Sequence, residues 1–123
     1  METGNKTVII VDDSPLIVKR LLDMLNDLPG LEWIKHAGNY AEGLQLIKEN
    51  NPGILLLDIN LPDKSGIELL RLCKESYPDT RVIMITNQAN EQYRKLCLKL
   101  GANHFIDKSK EFEQIAETIA GIA

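Results

Sequence analysis

No apolar run in this chain approaches the ~20 residues that a membrane-spanning helix needs. The opening residues, Met1 to Lys6, are polar and lack the apolar centre of a secretory signal. Lysines and arginines form no cluster and the net charge is −4, so direct nucleic-acid binding is not expected. There are only 2 cysteines, Cys73 and Cys97, and they lack metal-ligand spacing. Both fall inside helix-like patterns and read as reduced core thiols, which places the protein in the cytoplasm. Internal repeats, low-complexity tracts and linkers are also missing. With 123 residues, 44% of them hydrophobic and 26% charged, the expectation is one globular domain with a real core.

What is present is organised around Gly53-Ile54-Leu55-Leu56-Leu57-Asp58-Ile59-Asn60-Leu61-Pro62. Four apolar residues run straight into a carboxylate. Bounded by Asn51-Pro52 and by Pro62, the run reads as a strand buried on both faces. Asp58 stands where that strand leaves the core, and Pro62, Asp63, Ser65 and Gly66 force a loop after it.

Other runs repeat the pattern. Thr7–Val11 ends in Asp12-Asp13, and Arg81–Ile85 ends in Thr86. The mixed stretch Glu32–Ala37 reads as an edge strand, and His104–Asp107 as a short last strand that runs into Lys108. Five helices alternate with these strands. Ser14-Pro15 starts the first, which runs to about Leu28 with Ile17, Leu21, Met24, Leu25 and Leu28 as its core stripe and Leu16 and Leu22 off it. Asn39 with Glu42 and Ser65 with Glu68 mark the second and third. The fourth covers roughly Ala89 to Leu100, with Ala89, Tyr93, Leu96 and Leu100 on one side and Leu98 opposite. Ser109 caps the last, whose inner face carries Phe112, Ile115, Ile119 and Ile122.

Strands alternating with helices predict an α/β fold: a five-stranded parallel sheet with helices on both faces and right-handed crossovers. The continuous apolar runs belong inside and the mixed or short ones at the edges, which fits the flavodoxin-like order 2-1-3-4-5. Asp58 then ends the middle strand, with Asp12 and Asp13 on one side and Thr86 on the other. Three carboxylates at one point repel and need a positive charge. Oxygen ligands without histidine or cysteine suit magnesium, Mg2+. Lys108 adds a second cation within reach, and Thr86 a hydroxyl. A carboxylate nucleophile among such groups suits phosphoryl transfer, with an acyl phosphate as product.

At these residues the sequence resembles the receiver domains of two-component response regulators. Asp12-Asp13, Asp58, Thr86 and Lys108 each follow a strand, and Leu61-Pro62, Ser65-Gly66 and Gly101-Ala102 match as well. The resemblance covers Lys6 to Ile122. It implies that Asp58 accepts phosphate from a histidine kinase or histidine phosphotransfer protein. It implies that Asp13, Asp58 and the backbone carbonyl of Asn60 bind magnesium, with Asp12 acting mainly through water. Lys108 and Thr86 would contact the phosphoryl group, and Thr86 and Phe105 would form a switch pair. The first helix would dock the phosphodonor. The face of the fourth helix, last strand and last helix would signal to a downstream protein target or to a second copy in a phosphorylation-dependent dimer. One receiver domain over residues 1–123, with no output domain in this chain, is the expectation. A stand-alone regulator is the favoured reading, with a receiver cut from a longer chain as the other.

Three positions depart from the family pattern. Ser109 replaces the usual proline after the lysine, Phe105 lacks a tyrosine hydroxyl, and Asn87 replaces a small residue. Taken singly, Asp13 reads as a helix-start carboxylate, Lys108 as a solvated charge, and His36, His104 and Trp33 as structural. A haloacid-dehalogenase-type phosphatase would need a second Asp at position 60, where Asn60 stands. An unphosphorylated pseudo-receiver is the alternative, and the intact acidic pair, Asp58 and Lys108 argue against it.

Overall fold

A computed structural model describes residues 6–87 and 89–122, so most of the polar opening stretch lies outside the described residues. The elements are β1 (Thr7–Val11), α1 (Pro15–Leu25), β2 (Trp33–Ala37), α2 (Tyr40–Asn50), β3 (Ile54–Asp58), α3 (Gly66–Ser76), β4 (Arg81–Thr86), α4 (Glu91–Lys99), β5 (His104–Asp107) and α5 (Gln114–Ile122). All strand pairs are parallel, and the order is β2-β1-β3-β4-β5, as the hydrophobicity of the runs predicts. Every residue of β1 and β3 is buried, whereas most of β2 is half-buried or exposed.

Side chains alternate across the sheet, so each strand feeds two cores. Val8, Ile10, Ile54, Leu56, Ile83, Ile85 and Ile106 pack against α1 and α5. Ile9, Val11, Leu55, Leu57, Val82, Met84 and Phe105 pack against α2, α3 and α4. Trp33, the first residue of β2, is half-buried at the amino end of the sheet, with the Lys35 ammonium 5.0 Å from its ring centre.

Several element edges differ from the sequence expectation. α1 ends at Leu25, and its buried face is Val18, Leu21 and Leu25. Ile17, Met24 and Leu28 are only half-buried, because the face that meets the sheet takes in Val18 and is turned by about 50° from the expected stripe at 100° per residue. α4 starts later than Ala89 because the Asn90 side chain accepts from Tyr93 N–H at 2.8 Å and fixes the first turn. Its inner face centres on Cys97, and Leu96 is exposed. α5 begins at Gln114, so Ser109 is not its cap. Phe112 is buried all the same, from the turn before the helix, under the Arg20 guanidinium 4.0 Å from its ring centre. Both cysteines are buried and unpaired with each other, and burial pushes the Cys73 thiol up to about 11.

Two substitutions test this core. Leu56 is fully buried at the centre of β3, so Leu56→Ala should destabilise the domain by about 2–5 kcal/mol. Leu98 is 40% exposed, and Leu98→Ala should stay within about 0.5 kcal/mol of the parent. Urea denaturation midpoints measure both, and comparable losses would contradict the packing described.

Candidate functional site

The carboxyl ends of β1, β3, β4 and β5 open on the same side of the sheet, and each delivers one or two of the polar residues picked out in the sequence. Asp12 follows β1, Asp58 ends β3, Thr86 ends β4 and Lys108 follows β5. Asp12, Asp58, Thr86 and Lys108 are all buried, whereas Asp13 is exposed. One carboxylate oxygen from each of Asp12, Asp13 and Asp58 lies within 4.8 Å of the others.

Lys108 crosses β4's end to reach this cluster. Its Nζ donates to Asp12 Oδ2 at 2.8 Å and lies 3.4 Å from Asp58 Oδ2. Asp12 uses its other oxygen to accept from Ser14 N–H at 2.9 Å, at the start of α1. Asp58 Oδ1 accepts from Asn60 N–H at a long 3.5 Å. The Lys108 backbone N–H donates to Thr86 O at 2.9 Å, which ties the β5 end to the β4 end.

Burial and the Asp12 charge push the Asp58 carboxyl up to about 6 from 3.8, and Lys108 only partly offsets them. One ammonium does not satisfy three carboxylates, so the cluster has the electrostatics of a cation site. Its donors are all hard oxygens, which fits a magnesium-like ion at Asp12, Asp13 and Asp58. Asn60 is exposed beside them, directly after Ile59. Phe105 is 8% exposed, packed into the core beneath α4 rather than standing out in solvent.

Two supports were not singled out in the sequence for what they do. Gly66, the first residue of α3, donates to Ile59 O at 2.7 Å, and a Cβ there would lie 1.9 Å from Asp58 O. Only glycine lets α3 start against the backbone at the end of β3. Asp63 reaches back to α2, accepting from Tyr40 N–H at 2.8 Å and Ala41 N–H at 3.1 Å. These bonds pin the loop that carries Asn60, and the Tyr40 amide foremost holds the Asp63 carboxyl below its usual range. No local spacing signals a cap whose partner is 23 residues away. At the other end of the sheet Lys74 donates to Thr80 O and Asn103 Oδ1, well away from the acidic cluster. His36 and His104 are exposed and outside the cluster.

A flavodoxin-like domain with an acidic cluster and a buried lysine at the carboxyl end of its central strand defines a narrow class. The model of the response regulator receiver domain matches residues 8–120, and the chain belongs to that family. The transcriptional regulatory protein MctR of Rhizobium johnstonii is 30% identical over 117 residues, covering 93% of this chain and 55% of that protein. The DNA-binding transcriptional activator DevR/DosR of Mycobacterium tuberculosis is 28% identical over 115 residues, 94% of this chain and 53% of that one. The chain thus spans about half the length of the curated relatives it matches. Among solved structures, a CheY-like receiver domain protein of Methanospirillum hungatei superposes with a TM-score of 0.81 at 31% identity, over 94% of each chain. The response regulator domain of Thermotoga maritima CheB gives 0.83 at 29% identity, also over 94% of each.

The raised Asp58 carboxyl has a consequence for stability. Its folded value of about 6 exceeds the unfolded 3.8, so between these values the native state holds a proton that the unfolded chain has lost. The resulting stabilisation is fully present below 3.8 and is lost as pH rises through about 6. At pH 7 without metal, Asp58→Asn should therefore raise stability by about 1–3 kcal/mol, and by far less at pH 4. Urea titrations in chelator at the two pH values check this. A gain that is the same at both would refute the electrostatic account.

Proposed function

We propose that this domain is a phosphorylation-dependent signalling switch in which Asp58 is the phosphoacceptor. The observation that carries the reading is the buried Lys108 ammonium 3.4 Å from Asp58 Oδ2, beside the carboxylates of Asp12 and Asp13. An Asp58 oxygen forms the new bond to phosphorus as the bond to the donor imidazole of a histidine kinase or histidine phosphotransfer protein breaks. Asp13, Asp58 and the Asn60 carbonyl would hold Mg2+, with Asp12 acting mainly through water, and the ion would supply charge neutralisation for the acidic site and the transferred group. Lys108 contributes a fixed positive charge, and Thr86 a hydroxyl at the end of the neighbouring strand. Turnover of other substrates is not part of this reading, since the domain promotes only its own phosphorylation and dephosphorylation.

The output follows from Thr86 and Phe105. Met84 pairs with Phe105, and two residues on Thr86 pairs with Asp107, so the two side chains belong to adjacent strands of one ladder. A Thr86 hydroxyl drawn toward a phosphoryl group vacates space that the Phe105 ring can enter. Phe105 also lines a groove of about 410 Å³ with Arg94 and Leu98 of α4 and Gln114 of α5. That surface of α4, β5 and α5 is where a downstream protein, or a second copy of the chain, would sense the change. Leu98 supplies exposed apolar area there, rimmed by Arg94 and Lys95.

Intact-mass spectrometry after acetyl phosphate and Mg2+ tests the acceptor. Wild type should gain one phosphoryl group, and Asp58→Asn or a chelator should abolish the gain. An adduct that survives in Asp58→Asn refutes the assignment, and an unlabelled wild type supports a pseudo-receiver instead.

Docking of the donor falls on α1, whose first turns flank the approach to Asp58. Leu16 is 66% exposed, whereas Leu22 is half-buried against the core between the sheet and α1 and α5. The two leucines expected together off the core stripe are therefore not equivalent, and Leu16 is the better contact. Leu16→Glu should leave acetyl phosphate labelling and the melting temperature unchanged while slowing transfer from the cognate donor about tenfold. Equal loss with both donors would remove α1 from the docking surface.

A further inference from the structure

Lys108 has to hold a long, flexible side chain in one place, yet it follows an edge strand of only 4 residues. Its backbone N–H bond to Thr86 O fixes one end of the residue. The turn that follows must fix the other. In the family that turn usually begins with proline, whose ring sets φ; here Ser109 stands there, and no peptide bond among the described residues is cis. The restraint comes from side chains instead. Asp107 Oδ1 accepts from Ser109 N–H at 2.8 Å, Ser109 Oγ at 2.6 Å and Lys110 N–H at 3.3 Å. Glu111 closes the same loop in return, its Oε1 accepting from Asp107 N–H at 3.0 Å while its own N–H donates to Asp107 O at 2.8 Å. Ser109 and Lys110 are exposed, so these bonds serve no core. What they enclose is Lys108, 5% exposed, with its ammonium turned inward to Asp12 and Asp58.

We propose that Asp107 is a positioning residue for phosphorylation: its carboxylate gathers the Ser109 and Lys110 donors into a closed turn that aims Lys108 at Asp58. The inference rests on the reading of Asp58 as phosphoacceptor and adds a residue that touches neither phosphate nor metal. Asparagine retains an Oδ1 acceptor and alanine does not, so the two substitutions separate turn formation from charge.

The test is the rate of Asp58 labelling by acetyl phosphate and Mg2+, followed by intact mass. Asp107→Ala should slow labelling about tenfold, and Asp107→Asn should stay within about threefold of wild type. Mg2+ affinity by calorimetry should change less than about twofold in either, since the acidic cluster is untouched. In a Lys108→Ala background, Asp107→Ala should have no further effect, because its influence runs through the lysine. Should Asp107→Ala melt below the assay temperature, Ser109→Ala removes one bond of the turn and should slow labelling about threefold. An unchanged rate in the folded variant, or the same fall with and without Lys108, overturns the proposal. Wild type that takes no label at all overturns the phosphoacceptor reading first, and this inference with it.

Discussion

A lysine ammonium held out of water between two carboxylates is the constraint to which the rest of this structure answers. Burying Lys108 alone would be costly, and so would burying Asp12 and Asp58 together. The parallel sheet resolves this by bringing the ends of β1, β3 and β5 within one side chain's reach across β4. The resolution is incomplete. At Asp58, burial and the Asp12 charge outweigh the attraction of Lys108, and the carboxyl is still pushed up to about 6. The site therefore carries negative charge that Lys108 does not fully offset, which suits a further cation beside Asp12, Asp13 and Asp58.

The helices are not equally bound to the sheet. α3 has five buried positions and α1 three, whereas α4 has only Cys97. Moving α4 uncovers the least apolar surface of these three, and α4 lies against β5, which carries Phe105. Of the three, α4 is the most weakly anchored, which is what the proposed switch through Thr86 and Phe105 requires of it.

Much of this could be read from the chain alone, because a continuous apolar run that ends in acid is hard to place anywhere except an inner strand. Burial ranked the strands correctly, since inner strands of a parallel sheet do not tolerate unpaired polar residues and β2 carries Lys35 and His36. The positions of Asp12, Asp58, Thr86 and Lys108 followed from the strand ends. What escaped were polar contacts over distance and between rival caps. Ser109 has the composition of a helix cap, but Asp107 two residues earlier offers it a nearer partner and wins it for the turn. Asp63 looks like ordinary loop, and its role appears only when α2 is placed beside it. Val18 and Leu69 are buried although neither stood out, since the inner face of a helix is set by the angle at which it meets the sheet as well as by its sequence.

The single tryptophan sits far from all of this. Trp33 pairs with Thr7 at the amino end of the sheet, and the acidic cluster lies at the opposite end of the neighbouring strands. Its half-buried ring, flanked by Lys35 and packed against the core on the α2, α3 and α4 side, reports on whether β2 is docked on the sheet. Intrinsic fluorescence of this domain is thus a measure of unfolding that stays silent on occupancy of the acidic end. A dye or an introduced fluorophore would have to be placed on the β4–α4 side to see the latter.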